Sequence, residues 1–310
     1  MTTVPCESGF AHQALFYRGA ADFVDSVMSF VGEGIARRER VMIAVPGAHI
    51  DLLRAEAPRW NGHAHFLDMT ELGRNPGRII PAVEEFLFEQ EGRPARFVVE
   101  PIWPGRNTDE IAEATRHESL INLALSQFSV TVLCPYDVEA LPERVIADAW
   151  RTHPEAISGG LTHLSRHFAD ARAMCRDDLW PLAPPPEQTE TCSFGFDDLL
   201  ALRARVHHYG LLSGLGEDRA FDLVLAVNEM VSNSIQYGGG NGVLRIWTDQ
   251  RRAIVCEVND SGHITDPLEG RYAPGPGLEA RGLWLVNQLS DLVEIRSGPD
   301  GTRVRIRINP

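Results

Sequence analysis

Lysine is absent from the 310-residue chain, so all 29 basic residues are arginine. That excludes a Schiff-base lysine and with it ordinary pyridoxal chemistry. It also excludes the lysine of a P-loop and the strand lysine of protein kinases, so any phosphoryl chemistry needs another architecture. Cysteine is sparse: five residues (Cys6, Cys134, Cys175, Cys192, Cys256), an odd number with no C-x-x-C spacing, indicate no disulfide framework and fit a reducing compartment. No apolar run reaches the roughly 18 residues that a membrane span requires. The N-terminus shows no basic-then-apolar leader, and the expected location is cytoplasmic. Positive charge is also in deficit. Against 43 acidic residues the formal net charge is −14, which argues against a broad electrostatic grip on nucleic acid.

What is present divides the chain at roughly two domains' worth of residues. Between residues 10 and 155, short apolar runs alternate with helical periodicity. Strands are expected at 14–17, 41–45, 65–68, 96–100 and 130–134. Helices are expected over 20–37, 48–57, 77–91, 108–127 and 142–151, the first carrying Phe23, Val27, Phe30, Val31 and Ile35 on one stripe. This order predicts a mainly parallel sheet wrapped by helices, an α/β domain whose ligands bind beyond the carboxyl ends of its strands. Trp103, His117 and Tyr136 cluster near those ends and are candidates for a small-molecule pocket, although strand-end turns collect such residues without function.

Residues 156–191 read as a polar, extended linker, with Pro181, Pro184, Pro185 and Pro186 close together. His163 and His167, four apart on an expected helix with Cys175 beyond, have a spacing that can hold zinc, but a solvated helix face is the commoner meaning of that spacing. From 192 onward the order is a strand, helices over 197–212 and 219–237, strands over 243–248 and 253–259, a helix from 281 to 290, and strands over 292–296 and 302–308. That is an α+β arrangement of helices over an antiparallel-rich sheet. Glu229 and Asn233 share one face of the second helix. Asp260-Ser261-Gly262 ends a strand, where a carboxylate can receive an amino group while backbone lies close to a ring. A stretch without periodicity, 261–280, is long enough for a lid. Gly282 opens a helix whose free N–H groups suit phosphates, and Gly301-Thr302 opens a strand.

Two resemblances follow from these residues. Leu15-Phe16-Tyr17, the helix ending at 32–39, and Cys134-Pro135-Tyr136-Asp137 resemble the MEDS sensory domain, a degenerate relative of RecA-like ATPases. The absence of a P-loop after Val45 then implies sensing rather than hydrolysis in 1–155. In 192–310, the run from Glu229 to Gly238, Asp260-Ser261-Gly262, the run from Arg281 to Val286, and Gly301-Thr302 resemble, in order, the N box and three G boxes of GHKL ATPases. Among these they are most similar to the anti-sigma serine kinases of bacterial stress and sporulation switches, which act in transcription regulation. The resemblance implies ATP and Mg2+ as ligands, with Glu229 as general base and Asn233 as magnesium ligand. Asp260 would accept from the adenine amino group, Gly262 would lie under the base, Gly282 would cradle phosphates, and Gly301-Thr302 would help hold the nucleotide. Arg281, at the same helix start, is a candidate for steadying the terminal phosphate. Three positions depart from the family pattern: Ile264 and Ala280 replace glycines, and Tyr237 replaces a frequent histidine. His207-His208 falls inside the first helix of this unit and is a poor phosphoacceptor, which argues against a histidine-kinase fragment.

The implied activity is phosphorylation of a serine on a STAS-type anti-anti-sigma partner by an ATP-dependent anti-sigma regulator, tuned by the sensory half through a small-molecule ligand. The implied partners are that protein and a sigma factor, with a homodimer as an option and neither nucleic acid nor membrane involved. The alternative is a non-catalytic, nucleotide-gated module that sequesters its partner.

Overall fold

The computed structural model describes residues 9–56, 60, 62–89, 93–176, 179–274 and 282–310. The chain forms two compact units, Met1–Cys175 and Arg176–Pro310.

The first unit runs β1 (Ala11–Tyr17), α1 (Gly19–Ala36), β2 (Arg40–Val45), α2 (Gly47–Glu56), β3 (Ala64–Asp68), α3 (Met69–Leu72) and α4 (Ile79–Glu89). It continues with β4 (Ala95–Val99), α5 (Thr108–Ala124), β5 (Val130–Asp137), α6 (Glu143–Thr152), β6 (Glu155–Ser158), β7 (Leu161–Leu164) and α7 (Ala171–Met174). Its seven strands lie in the order β3-β2-β4-β5-β1-β6-β7, parallel except for the β6–β7 hairpin. β2, β4 and β5 are buried almost end to end and largely apolar because both faces of a parallel sheet are covered. On one face, Phe23, Val27, Phe30 and Val31 of α1 pack with Val41, Ile43 and Val45 of β2, the stripe expected from the sequence. α5 starts at a capping box: the Asn107 side chain accepts from the Asp109 and Glu110 backbone, and Glu110 accepts in return from the Asn107 N–H.

The second unit runs β8 (Glu190–Phe194), α8 (Leu199–Leu212), α9 (Glu217–Tyr237), β9 (Gly242–Thr248), β10 (Ile254–Asp260), α10 (Gly282–Leu289), β11 (Leu292–Gly298) and β12 (Gly301–Ile308). The sheet order is β11-β12-β10-β9-β8, antiparallel throughout. Ile254, Cys256 and Val258 of β10 and Val304, Ile306 and Ile308 of β12 face the helices, meeting Leu223, Val227, Met230 and Val231 of α9.

Two departures from the sequence reading concern 156–191. Residues 155–164 are the β6–β7 hairpin of the first sheet, so His163 sits on an exposed strand rather than on a helix with His167. The proline-rich run is extended but anchored. Across the outer face of the second sheet, Arg296 Nε donates to the Trp180 carbonyl, and Arg305 donates to the Ala183 carbonyl at 2.8 Å. Those arginines are buried beneath it, Arg305 paired with Glu257 at 2.6 Å. A run of prolines donates few N–H groups, and here its carbonyls give the buried guanidinium groups an acceptor in addition to Glu257 for Arg305 and the Ile295 carbonyl for Arg296.

Candidate functional site

In the second unit, the carboxyl half of α9, the end of β10, the start of β12 and the first turn of α10 enclose a cleft of about 500 Å³. Helical spacing puts Glu229 and Asn233 one turn apart on the half-buried side of α9, and both line the cleft. Gly282, the first residue of α10, lies directly against them: a Cβ there would stand 2.9 Å from Asn233 Nδ2 and 3.3 Å from Glu229 Oε2. Glycine at that position leaves the backbone of the helix start open to the cleft, where N–H groups and the helix dipole favour anions.

Asp260 closes β10 and is held by two donors. Ser234 Oγ donates to its Oδ2, and the Gly262 N–H donates to Oδ1 at 2.8 Å. Its side chain passes so close to the end of α9 that a Cβ on Gly238 would stand 2.5 Å from Asp260 Cγ. Gly262 is equally confined, with Gly238 Cα 2.9 Å from where its Cβ would be. These two glycines set the chain crossing that turns the carboxylate toward the cleft.

Thr302 faces Asp260 in the β10–β12 ladder. Its Oγ1 donates to the Gly262 carbonyl at 2.9 Å and lies 2.7 Å from Ser297 Oγ, while Ser297 Oγ accepts from the Ile264 N–H at 2.7 Å. Ile264, where the family pattern has a glycine, is therefore built into the cleft wall and packs against the core. Gly301 adopts φ +114° one residue before, and a Cβ there would stand 2.2 Å from the Asp260 carbonyl oxygen.

The structure thus brings Glu229, Asn233, Asp260, Gly262, Gly282 and Thr302 to one cleft, with Gly301 supporting it. Arg281 and Ala280 lie outside the described residues. Of the expected lid, 261–274 contains no helix or strand, and its stretch near Gly270 is fastened to α10, where Asn287 Nδ2 donates to the Gly270 carbonyl at 3.0 Å. Sequence reasoning missed Ser234, the donor on Asp260, although it stands one helical position after Asn233. It also missed His263, Asp266 and Glu269 on the cleft wall, whose irregular segment carries no periodicity to flag them.

In the first unit, the expected strand-end pocket is not formed as envisaged. Tyr136 and His117 are interior side chains, 1% and 0% exposed. Trp103 instead lies under the Arg106 guanidinium, 4.3 Å from ring to Cζ. The carboxyl ends of β1, β2 and β4 hold a different group. His49 Nδ1 is 2.7 Å from Glu100 Oε2, Tyr17 donates to Glu100 Oε1 at 3.4 Å, and Phe23 stacks on His49. Burial raises the Glu100 carboxyl above the usual carboxylate range. Burial opposes charge on His49 as well, yet the hydrogen bond and charge of Glu100 lift its pKa above the ordinary value.

An antiparallel sheet under three helices, with a carboxylate–amide pair on one helix facing a glycine-opened helix start, is the architecture of a GHKL-type ATPase domain. Comparison with known families agrees. Residues 197–308 match the family of histidine kinase-like ATPase domains, and residues 11–154 match MEDS, the methanogen/methylotroph DcmR sensory domain. The chain therefore carries a MEDS sensory domain followed by a histidine kinase-like ATPase domain. No curated protein matches it. Among solved structures it is similar to the RsbU and RsbW domains of a Mycobacterium tuberculosis protein, at 18% identity and a TM-score of 0.31, covering 40% of this chain and 32% of that one. It thus spans about a third of that protein's structure. It is also similar to the histidine kinase domain of a blue-light activated histidine kinase from Erythrobacter litoralis, at 18% identity and a TM-score of 0.26, covering 64% of this chain and 93% of that one. Among the described residues, no helix is long and apolar enough to cross a membrane.

Proposed function

We propose that the second unit binds ATP in the α9–β10–β12 cleft and transfers its γ-phosphoryl group to a serine of a STAS-type anti-anti-sigma protein. When that partner is modified, the chain is free to hold a sigma factor. The observation that carries this reading is the convergence of Glu229, Asn233, Asp260 and three glycine-opened backbone approaches on one cleft. Asp260, fixed by Ser234 and Gly262, keeps lone pairs for the adenine amino group. Gly262 lets the chain pass close over Gly238 at the cleft wall, and Gly282 leaves room for phosphates where a side chain would crowd Asn233 and Glu229. Glu229 would take the serine proton as its oxygen bonds the γ-phosphorus and the bridging oxygen leaves with ADP.

Asn233 fits a magnesium ion held mainly by phosphates and water, since it offers one neutral amide oxygen beside the Glu229 carboxylate. Bound there, the ion would neutralise charge on the β- and γ-phosphate oxygens. The MEDS unit would tune this activity by binding a small molecule more tightly in one arrangement of the two units than in another. The chain would work in the cytoplasm.

The deciding experiment is transfer of label from γ-labelled ATP to a STAS-type partner encoded beside this chain. Label on a partner serine supports the kinase reading. Nucleotide-dependent partner binding without label would make the chain a nucleotide-gated sequestering module instead.

A further inference from the structure

The first unit contains a second convergence of side chains, with no part in nucleotide chemistry. His12 on β1, Cys134 on β5, Glu118 on α5 and His153, the residue after α6, are all buried, and one donor atom from each lies within 4.8 Å of all the others. The parallel register explains half of this. Ala14 pairs with Cys134, so His12 and Cys134 project from the same face of adjacent strands. That face is covered by α5, which brings Glu118, and by the end of α6, which brings His153.

The spacings are those of ligands around one ion. His12 Nε2 is 3.1 Å from Glu118 Oε2 and 3.4 Å from Cys134 Sγ. Glu118 Oε2 is 3.3 Å from Cys134 Sγ and 3.4 Å from His153 Nε2. Bond lengths of about 2.0–2.3 Å to nitrogen, oxygen and sulfur around a tetrahedral zinc give edges of roughly 3.3–3.7 Å.

The surrounding hydrogen bonds fix where the protons are. Asn122 Nδ2 faces the Thr152 carbonyl at 2.8 Å and the Glu118 and Ser119 carbonyls at 3.3 Å, so its Oδ1 is the atom facing His12 Nδ1 at 3.1 Å. His12 therefore carries its proton on Nδ1 and turns the bare Nε2 lone pair inward. His153 Nδ1 lies 2.9 Å from the Ala149 carbonyl, an acceptor only, so it too is protonated on Nδ1. Its Nε2 is buried, with Glu118 Oε2 at 3.4 Å and no well-formed hydrogen bond. Tyr136 donates to Glu118 Oε1 at 3.2 Å, leaving Oε2 for the centre. In the neutral tautomers these contacts select, two ring lone pairs and a carboxylate oxygen point at one another, with a single thiol proton to share among them. A hydrogen-bonded cluster is short of donors, whereas a cation satisfies every group at once.

We propose that His12, Glu118, Cys134 and His153 bind one zinc ion. Two anions and two neutral imidazoles make a +2 ion electrically neutral in a dry interior, and the mixed N, O and S set suits zinc. Binding releases the Cys134 proton to solvent as the Sγ–metal bond forms. With four protein ligands and no exposed position, the ion is structural, tying β1, β5, α5 and the end of α6 together. Asn122 and Tyr136 are the positioning residues that hold His12 and Glu118 in ligating orientation.

The test is elemental analysis of the full chain after exhaustive dialysis, together with zinc titration of chelator-stripped protein followed by thermal unfolding. The expected result is about one zinc per chain, with unfolding of the stripped protein shifted to higher temperature by added zinc and not by magnesium. Cobalt added to the stripped protein should give a thiolate charge-transfer band that is missing from Cys134→Ser. Cys175→Ser and His163→Ala should keep their zinc. Asn122→Ala should bind it roughly 10–100-fold more weakly. Folded, metal-free wild-type protein whose unfolding temperature is unmoved by zinc would overturn the proposal, whatever the variants do. So would a full complement of zinc in a folded Cys134→Ser protein, or a stoichiometric complement of iron in place of zinc.

Discussion

Ser234 Oγ donates to the Asp260 carboxylate, joining the last turns of α9 to the end of β10 beneath the nucleotide cleft. The pair couples the helix carrying Glu229 and Asn233 to the strand carrying the carboxylate proposed to receive the adenine amino group. Asp260→Asn should therefore lose nucleotide affinity by roughly 10–100-fold, the usual worth of a hydrogen bond to a charged group. Ser234→Ala should weaken binding in the same direction by less, because the Gly262 N–H still holds the carboxylate. Calorimetric titration with ATP and magnesium measures both, and equal affinity in Asp260→Asn would remove Asp260 from the site.

Glu229→Ala should leave nucleotide binding near that of the unaltered protein and slow phosphoryl transfer by about 10²–10⁴-fold, the range for losing a general base. Single-turnover label transfer at saturating ATP separates the two effects. An unchanged rate would place the proton acceptor elsewhere.

Gly301→Ala should destabilise the second unit. The glycine holds φ +114°, and an added methyl would stand 2.2 Å from the Asp260 carbonyl oxygen. Backbone strain and overpacking each cost about 1–3 kcal/mol. Denaturant unfolding should show a lower midpoint with an unchanged slope.

A fragment beginning at residue 176 should unfold at a higher temperature than one beginning at 190. Only the first keeps the carbonyls of Trp180 and Ala183 over the buried Arg296 and Arg305. Arg305 keeps Glu257 and Arg296 keeps the Ile295 carbonyl, so what is lost is one hydrogen bond to each charged group, about 1.5–3 kcal/mol apiece. Identical melts would reduce the proline-rich run to a tether.

The first unit should lose stability as pH rises through neutrality because of Glu84. Burial among the apolar side chains of α4 raises its carboxyl from 4.5 to about 7. The folded state then holds this proton more tightly than the unfolded chain. The stabilisation is full below 4.5 and is lost as pH rises through about 7. Thermal midpoints measured across this window should fall less steeply in Glu84→Gln.

The legible parts of this chain were those with local periodicity. The stripe of α9, the apolar runs of β2 and β5, and the Asp-Ser-Gly end of β10 each announce themselves within a few residues. Glu229 and Asn233 could be paired because one helical turn separates them. β6 and β7 were missed because each has four residues and every residue of β7 is exposed, leaving no alternation to read. The His12 cluster was illegible for a different reason. His12 and Glu118 are 106 positions apart, and Glu118 and Cys134 are 16 apart, on a strand, a helix and another strand. The register of β1 on β5, with α5 packed over that face, makes them neighbours.

That same register sets an order in time. Among the described residues β1 pairs with β5 and β6, both more than a hundred residues downstream. On a ribosome adding about 5–20 residues per second, the N-terminal strand therefore waits for several seconds without a partner. The second unit closes its β9–β10 hairpin across a short turn, and its other strands pair within a much shorter stretch of chain. The sensory unit, although synthesised first, is the one whose sheet depends on distant closures and so carries the slower folding step. During that wait Leu15, Phe16 and Tyr17 are exposed on an unpaired strand. A chaperone that shields the first twenty residues should raise the yield of folded full-length protein, while leaving that of the isolated second unit unchanged.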